Sequence, residues 1–308
     1  MNRQQFRRAR GRAAPRYCRD VGESRASSSG RRPLAVGDVV VRYCAWLGEW
    51  TGAQVLATAG QTVEVVDLDW SSPVEPRSVA ELGELVPLMD PRGRHDRARP
   101  AQLNVPRELP RSFTVLGAAA QLDLPRCHSY GSWSLTCGFL LDEARRQRAG
   151  ASQWPWLVRC DHADLDHRVG SGRRDDILAL HLFRVGETDC AEIAGRFPKL
   201  VQLVLAGCGD QFQPYSGPDH GVLRNVSALN GLHDLEVLRF EHVYGMTAAD
   251  LPQPDSLRRL DSLTMTGIPA DFAQAVRSAW RPLVKSGVAL SVRQARSKEW
   301  LAEHVRTA

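Results

Sequence analysis

The stretch LVQLVLAGC, from Leu200 to Cys208, decides how the C-terminal part of the chain is interpreted. Its leucines stand at offsets 1, 4 and 6, and a cysteine follows at offset 9. Offsets 4 and 6 alternate as a β-strand with one buried face requires. The stretch is therefore either a single strand beside a reactive thiol or one copy of a repeating unit. Further copies elsewhere in the chain would favour the repeat.

Three other segments carry the same spacing of apolar residues. They are ILALHLFRV from Ile177, LEVLRFEHV from Leu235 and LDSLTMTGI from Leu260. The starts are 23, 35 and 25 residues apart, and the proline- and glycine-rich QFQPYSGPDHG accounts for the longer middle gap. GVALSVRQ, from Gly287, is expected to form a final strand. One such unit cannot bury its own apolar face, so the units must stack.

The pattern L-x-x-L-x-L-x-x-N/C, with a period in the twenties, resembles the leucine-rich repeat family. The resemblance covers residues 175–293 and implies an α/β solenoid with one strand and one helix in each unit. TDCAEIAGRF and DFAQAVRSAW are the expected returning helices. The family places a structural residue at offset 9, so the resemblance implies a structural role for Cys208.

The N-terminal half is expected to contain a second ordered unit. Residues 33–89 hold short alternating strands with a turn at Ala59-Gly60, and they resemble a small all-β SH3-like or Tudor-like barrel. Residues 90–112 combine prolines with charges of both signs, which is typical of a linker. Residues 113–308 would form the leucine-rich-repeat-like α/β domain. Within it, CGFLLDEARRQRAGA predicts an amphipathic helix and WPWLVRC an edge strand.

The positive charge of the chain is concentrated in residues 1–32. This tail holds ten arginines against Asp20 and Glu23, whereas the remaining residues are slightly acidic. Because it has almost no aliphatic side chains, we expect it to be disordered. An Arg- and Ser-rich start suits a transit peptide or a nucleic-acid-binding arm, but also a solvated extension or a misassigned start codon in a GC-rich gene.

Several enzyme classes find no support in the sequence. There is no G-x-x-x-x-G-K-[ST], H-E-x-x-H, G-x-S-x-G or G-x-G-x-x-G motif. The seven cysteines include no C-x-x-C pair, which favours a reducing compartment. Cys160, His162, Asp164 and His167 are metal-ligand types, but their spacing is that of a polar surface turn. We expect a cytoplasmic, non-membrane protein with no catalytic residues, no cofactor and no bound metal.

Two sets of residues are candidate binding sites. In the resembled family, strand side chains at offsets 3, 5 and 7 contact a partner, which implies a partner-binding set of His181, Phe183, Gln202, Val204, Arg239, Glu241 and Thr264. In the barrel, aromatic side chains could form a cage for a methylated cation or could simply be packing residues: Tyr43, Trp46, Trp50 and Trp70. The neighbouring Glu64, Asp67 and Asp69 would suit a cationic partner.

The sequence therefore predicts a protein-interaction scaffold that binds a protein partner through the concave face of the repeat domain. The candidate face carries a mixture of charged, polar and apolar side chains, which suits a protein better than a phosphate backbone. The alternative is association with nucleic acid through the arginine tail and the barrel. A hydrolase centred on residues 160–167 is a third possibility.

Overall fold

The computed structural model describes residues 32–92, 99–151, 154–208, 221–253, 255–281 and 288–294. The tail predicted to be disordered, residues 1–32, lies outside these ranges except for Arg32. The proline- and glycine-rich insertion also lies outside them, except for Gly221.

The N-terminal half forms a five-stranded antiparallel sheet with the order β4-β3-β2-β1-β5. Its valine-rich strands alternate their side chains between two apolar clusters, so both faces of the sheet are covered. The strands are β1 (Asp38–Cys44), β2 (Glu49–Ala59), β3 (Thr62–Ser72), β4 (Gln102–Pro106) and β5 (Phe113–Ala118).

The C-terminal half is built on a six-stranded parallel sheet with the order β14-β13-β11-β9-β7-β6. A second, three-stranded parallel sheet has the order β12-β10-β8. The large sheet contains β6 (Leu157–Asp161), β7 (Ala179–Phe183), β9 (Gln202–Ala206), β11 (Val237–Glu241), β13 (Ser262–Ile268) and β14 (Ala289–Gln294). The small sheet contains β8 (Glu187–Asp189), β10 (Gly221–Arg224) and β12 (Val243–Tyr244).

Helices within the described ranges are few and short. The α-helices are α1 (Phe139–Arg148), α2 (Leu165–Val169), α3 (Cys190–Arg196) and α4 (Ala270–Ala279). Short 3-10 turns occupy Val79–Leu82, Trp133–Leu135, His162–Asp164 and Val226–Gly231. The helices predicted in CGFLLDEARRQRAGA, TDCAEIAGRF and DFAQAVRSAW are confirmed as α1, α3 and α4.

The repeated leucine spacing correctly predicted the strand register. Parallel pairing aligns offset 4 of each copy across the sheet, and those four side chains are fully buried: Leu180, Leu203, Leu238 and Leu263. Offset 6 is equally buried, and the two rows share one core with residues of α2, α3, α4 and the small sheet. Because side chains alternate along a strand, offsets 3, 5 and 7 must lie on the opposite face.

In three of the four copies the residue at offset 8 has a left-handed backbone conformation. Arg184 and His242 have φ angles of 47° and 50°, and Gly267 has a φ of 69°. This conformation is rare for residues with a Cβ. At Gly267 a Cβ would lie 2.3 Å from the His242 ring, so packing as well as backbone conformation requires glycine there.

The predicted fold class is wrong. The molecule is a mixed α/β structure with an antiparallel sheet and a large parallel sheet, and not a leucine-rich-repeat solenoid with a helix in every unit. The described return after β9 contains a 3-10 turn, Val226–Gly231, and the described return after β11 contains no α-helix. The strand periodicity predicted the parallel sheet but not the path of the chain between one strand and the next. Pro252 and the short strands β10 and β12 occupy those connections in place of the expected helices.

The predicted small barrel also differs from the structure. The antiparallel sheet is open, with β4 and β5 as its two edges. Residues 90–112, predicted to be a linker, contribute β4, which pairs with β3 from Thr62↔Pro106 to Val66↔Gln102. The prolines of this segment therefore flank or end an edge strand, where a missing N–H is tolerated.

A buried ion pair joins the two halves. The Arg42 guanidinium on β1 donates to Glu236 Oε2 at 2.8 Å, and both side chains are almost inaccessible to solvent. Arg42 also lies over the rings of Trp46 and Phe113, at 5.6 Å and 5.3 Å from the ring centroids. Burial raises the pKa of the Glu236 carboxyl, and the charge of Arg42 opposes that effect.

Two further contacts support the same junction. Asp261 accepts a hydrogen bond from the Ser112 backbone N–H at 2.9 Å and another from the Ser112 hydroxyl. Trp46 stacks on Trp156, with ring centroids 4.9 Å apart. Glu236, Asp261 and Trp156 each immediately precede a strand of the parallel sheet, so the antiparallel sheet docks against the amino ends of those strands.

We expect Arg42→Met to lower the free energy of unfolding by about 3–5 kcal/mol, because it leaves Glu236 buried without its counter-ion. The double variant Arg42→Met/Glu236→Leu removes both charges and should recover most of that loss. Chemical denaturation of the wild type, both single variants and the double variant measures the coupling. If the loss of unfolding free energy in the double variant equals the sum of the losses in the two single variants, the two side chains do not stabilise each other.

Candidate interaction surface

The side of the parallel sheet away from the shared core is called the outer face here. It is defined by the strand residues at offsets 3, 5 and 7 and their partners on β6 and β14. Parallel pairing sets its middle row in register across all six strands: Arg159, His181, Val204, Arg239, Thr264 and Ser291. The partner-binding set predicted from the sequence therefore lies on one continuous surface.

Charged side chains on the outer face contact each other. The Arg239 guanidinium forms an ion pair with Glu241, two residues further along the same strand. Arg184, which follows β7, forms an ion pair with Asp161 at 2.5 Å. Arg239 and Glu241 can pair because offsets 5 and 7 of a strand point to the same side.

Two of the predicted partner-binding residues are largely covered by their neighbours. Phe183 is 8% exposed, and the Arg159 guanidinium lies 5.2 Å from its ring centroid. Val204 is 7% exposed. The accessible part of the outer face is polar, with Arg239 exposed and the remaining predicted residues half-buried: His181, Gln202, Glu241 and Thr264.

The predicted aromatic cage does not form as a single unit. Tyr43 and Trp50 are paired across β1 and β2 and make an edge-to-face contact at 5.9 Å. Trp46 instead lies in the turn after β1 and stacks on Trp156. Trp70 packs partly buried with Trp50 against the cluster of Val39, Val41 and Leu68. Tyr43 and Trp50 line a common cleft that neither Trp46 nor Trp70 lines.

The acidic run beside the aromatics is not a surface for a cationic partner. Glu64 and Asp67 are buried and accept hydrogen bonds from the backbone N–H groups of Cys127 and Cys137, at 2.7 Å and 3.0 Å. Asp67 Oδ2 has no hydrogen-bond partner within the described ranges. Burial raises the pKa of Asp67 to about 7. Of the three acidic residues, Asp69 alone is exposed.

Cys208 and the metal-ligand types in residues 160–167 do not come together in one site. Cys208, expected to be a buried structural thiol, is half-buried. Cys160 is buried in the shared core, whereas Asp164 and His167 are exposed. His162 Nδ1 lies 3.3 Å from the Thr188 hydroxyl. The described residues contain no cluster of three or more histidine, cysteine or acidic side chains that could hold a metal ion.

Sequence reasoning missed two features. Arg159 was not assigned to the face, although Val158 and Cys160 alternate with it as inward residues of a further strand. The acidic residues at offset 2, Glu236 and Asp261, were also missed. Each follows a buried leucine at the same repeat position, and that recurrence is the signal that could have identified the junction.

Compared with known proteins, the chain matches no family model, no curated protein and no solved structure. Among the described residues, no helix is long and apolar enough to span a membrane.

We expect Asp67 to make folding stability fall as pH rises from about 4 to about 7. Its pKa in the fold lies above the value of about 3.9 for an unfolded chain, so the folded state binds the extra proton in this window. Asp67→Asn should flatten the dependence of the unfolding free energy on pH there. The exposed Asp69→Asn is the matched control. An Asp67→Asn profile parallel to that of the wild type would contradict the assignment.

Proposed function

We propose that this chain is a non-catalytic module that binds a protein partner through the outer face of its parallel sheet. One observation carries the proposal. Purely parallel sheets are normally covered on both faces, yet here the four described α-helices place their buried apolar side chains in clusters that contain no outer-face residue. The outer face is therefore an ordered, six-strand-wide surface without a described covering layer.

The composition of the outer face supports a partner rather than simple solvation. Its accessible side chains combine a guanidinium, a carboxylate, an imidazole and an amide at Arg239, Glu241, His181 and Gln202. Small hydroxyl side chains on β13, such as Thr264, leave room beside Arg239 for an incoming group. Arginine is enriched at protein interfaces because its planar group forms several directed hydrogen bonds while covering apolar surface.

The charge distribution favours a protein over a nucleic acid. Three arginines on the outer face, Arg159, Arg239 and Arg293, alternate with the carboxylates of Asp161 and Glu241. A surface that follows a phosphate backbone would carry clustered cations without interspersed acids. A partner that presents both a carboxylate and a donor could replace the Arg239–Glu241 pair with two intermolecular contacts.

We expect Arg239→Ala to weaken binding of the partner by about 1–3 kcal/mol, which is typical of an interface anchor, without lowering thermal stability. The partner is first isolated on immobilised full-length chain after nuclease treatment. The purified pair is then measured by calorimetry with the wild type and the variant. Arg126→Ala is the matched control, because Arg126 is also exposed and lies outside the outer face.

Two outcomes would contradict the proposal. Equal affinity for the wild type and Arg239→Ala would place the contact elsewhere. Retention of nucleic acid alone, lost on nuclease treatment and falling steeply with salt, would favour the electrostatic alternative.

A further inference from the structure

A cleft of about 370 Å³ lies at the junction between the two halves of the molecule, on residues distinct from the outer face. The antiparallel sheet contributes two aromatic walls, and the segments preceding β5, β11 and β13 contribute the polar walls. The lining residues are Tyr43, Trp50, Arg111, Ser112, Glu236, Arg258 and Arg259. Its volume is near the small end of ligand-binding pockets, which suits a molecule with one ring and one polar head group.

The cleft presents hydrogen-bond donors that the described residues do not use. Arg111 Nη1 is buried without a hydrogen-bond partner. Arg258 forms no ion pair with any described residue, and its side chain is exposed at the cleft. Charged donors without a partner are costly, about 1–3 kcal/mol or more, so an acceptor supplied by a ligand at the exposed Arg258 and the half-buried Arg111 would be favoured.

The lining supplies few acceptors in return. The only carboxylate is Glu236, which already accepts from Arg42 at 2.8 Å. Ser112 donates its hydroxyl proton to Asp261. Arg259 donates to Asp234 at 2.8 Å, so its charge is balanced there. Arg259 and Glu236 are each paired with an opposite charge and Asp261 lies behind Ser112, so Arg111 and Arg258, which form no ion pair with a described residue, leave the cleft with a small net positive charge.

The geometry points to a binding site for a small organic anion in which a ring carries a phosphate or carboxylate group. We propose that Arg258 and Arg111 hold the anionic group, which can accept from planar guanidinium groups in pairs. Tyr43 and Trp50, whose rings meet edge to face, pack against the ring of the ligand. A methylated cation, one of the two alternatives for these aromatics, is disfavoured here because neighbouring arginines repel a cation.

The proposal is tested by calorimetric titration of the full chain with four probes. Phenyl phosphate and benzoate share a ring and differ in the anionic group. Inorganic phosphate lacks the ring, and benzyltrimethylammonium replaces the anion with a cation. We expect at least one of the two aromatic anions to bind, more tightly than inorganic phosphate, and we expect no binding of the cation. The better aromatic anion identifies whether the site is built for phosphate or carboxylate.

Variants then locate the binding. Arg258→Ala should weaken the better anion about tenfold or more, since loss of a charged hydrogen bond of about 1.4 kcal/mol produces that factor. Arg111→Met keeps the aliphatic stem of the side chain and should have a similar effect, and it guards against a variant that fails to fold. The exposed Arg126→Ala should leave affinity unchanged.

Three results would overturn the proposal: no heat from any anion, tighter binding of benzyltrimethylammonium, or unchanged affinity in both folded cleft variants. None of them bears on the outer face, because the Arg239→Ala measurement uses a different ligand and a different surface.

Discussion

The buried ion pair between Arg42 and Glu236 constrains the whole molecule. Two charges cannot remain away from water unless they stay together, so β1 of the antiparallel sheet is fixed to the amino end of β11. If the two halves separated, Arg42 and Glu236 would each lose its counter-ion. The hydrogen bonds from Ser112 to Asp261, one strand further along, fix the relative rotation of the two sheets.

This docking mode explains which surfaces stay available. The parallel sheet buries its inner face against the small sheet and the helices, and its amino edge against the antiparallel sheet. The outer face has no described covering layer. The same docking creates the junction cleft, since the aromatics of β1 and β2 and the arginines of the strand-preceding segments meet only where the two sheets join. Both proposed binding sites thus follow from a single arrangement of sheets.

The sequence predicted the local parts of this structure and missed the long-range parts. Leu203 is followed two residues later by Leu205, and Leu238 by Phe240, and this period of two was sufficient to place both leucines in register in a parallel sheet. The connections between the strands of the parallel sheet depend on prolines and on pairing with distant short strands. A helix therefore does not form in every unit. Arg42 and Glu236 are 194 residues apart, and no spacing rule connects them. Tyr43 and Trp50 were correctly grouped because they are strand neighbours, whereas Trp46 turns towards the other half.

Hydroxyl-radical footprinting of the full chain, free and bound to its partner, tests the central claim most directly. His181 is a half-buried, oxidisable side chain in the middle row of the outer face, and Tyr130 is a 74% exposed side chain outside it. If the outer face is the interface, binding should reduce oxidation of His181 and leave Tyr130 unchanged. Unchanged oxidation of His181 in a saturated complex would contradict the account.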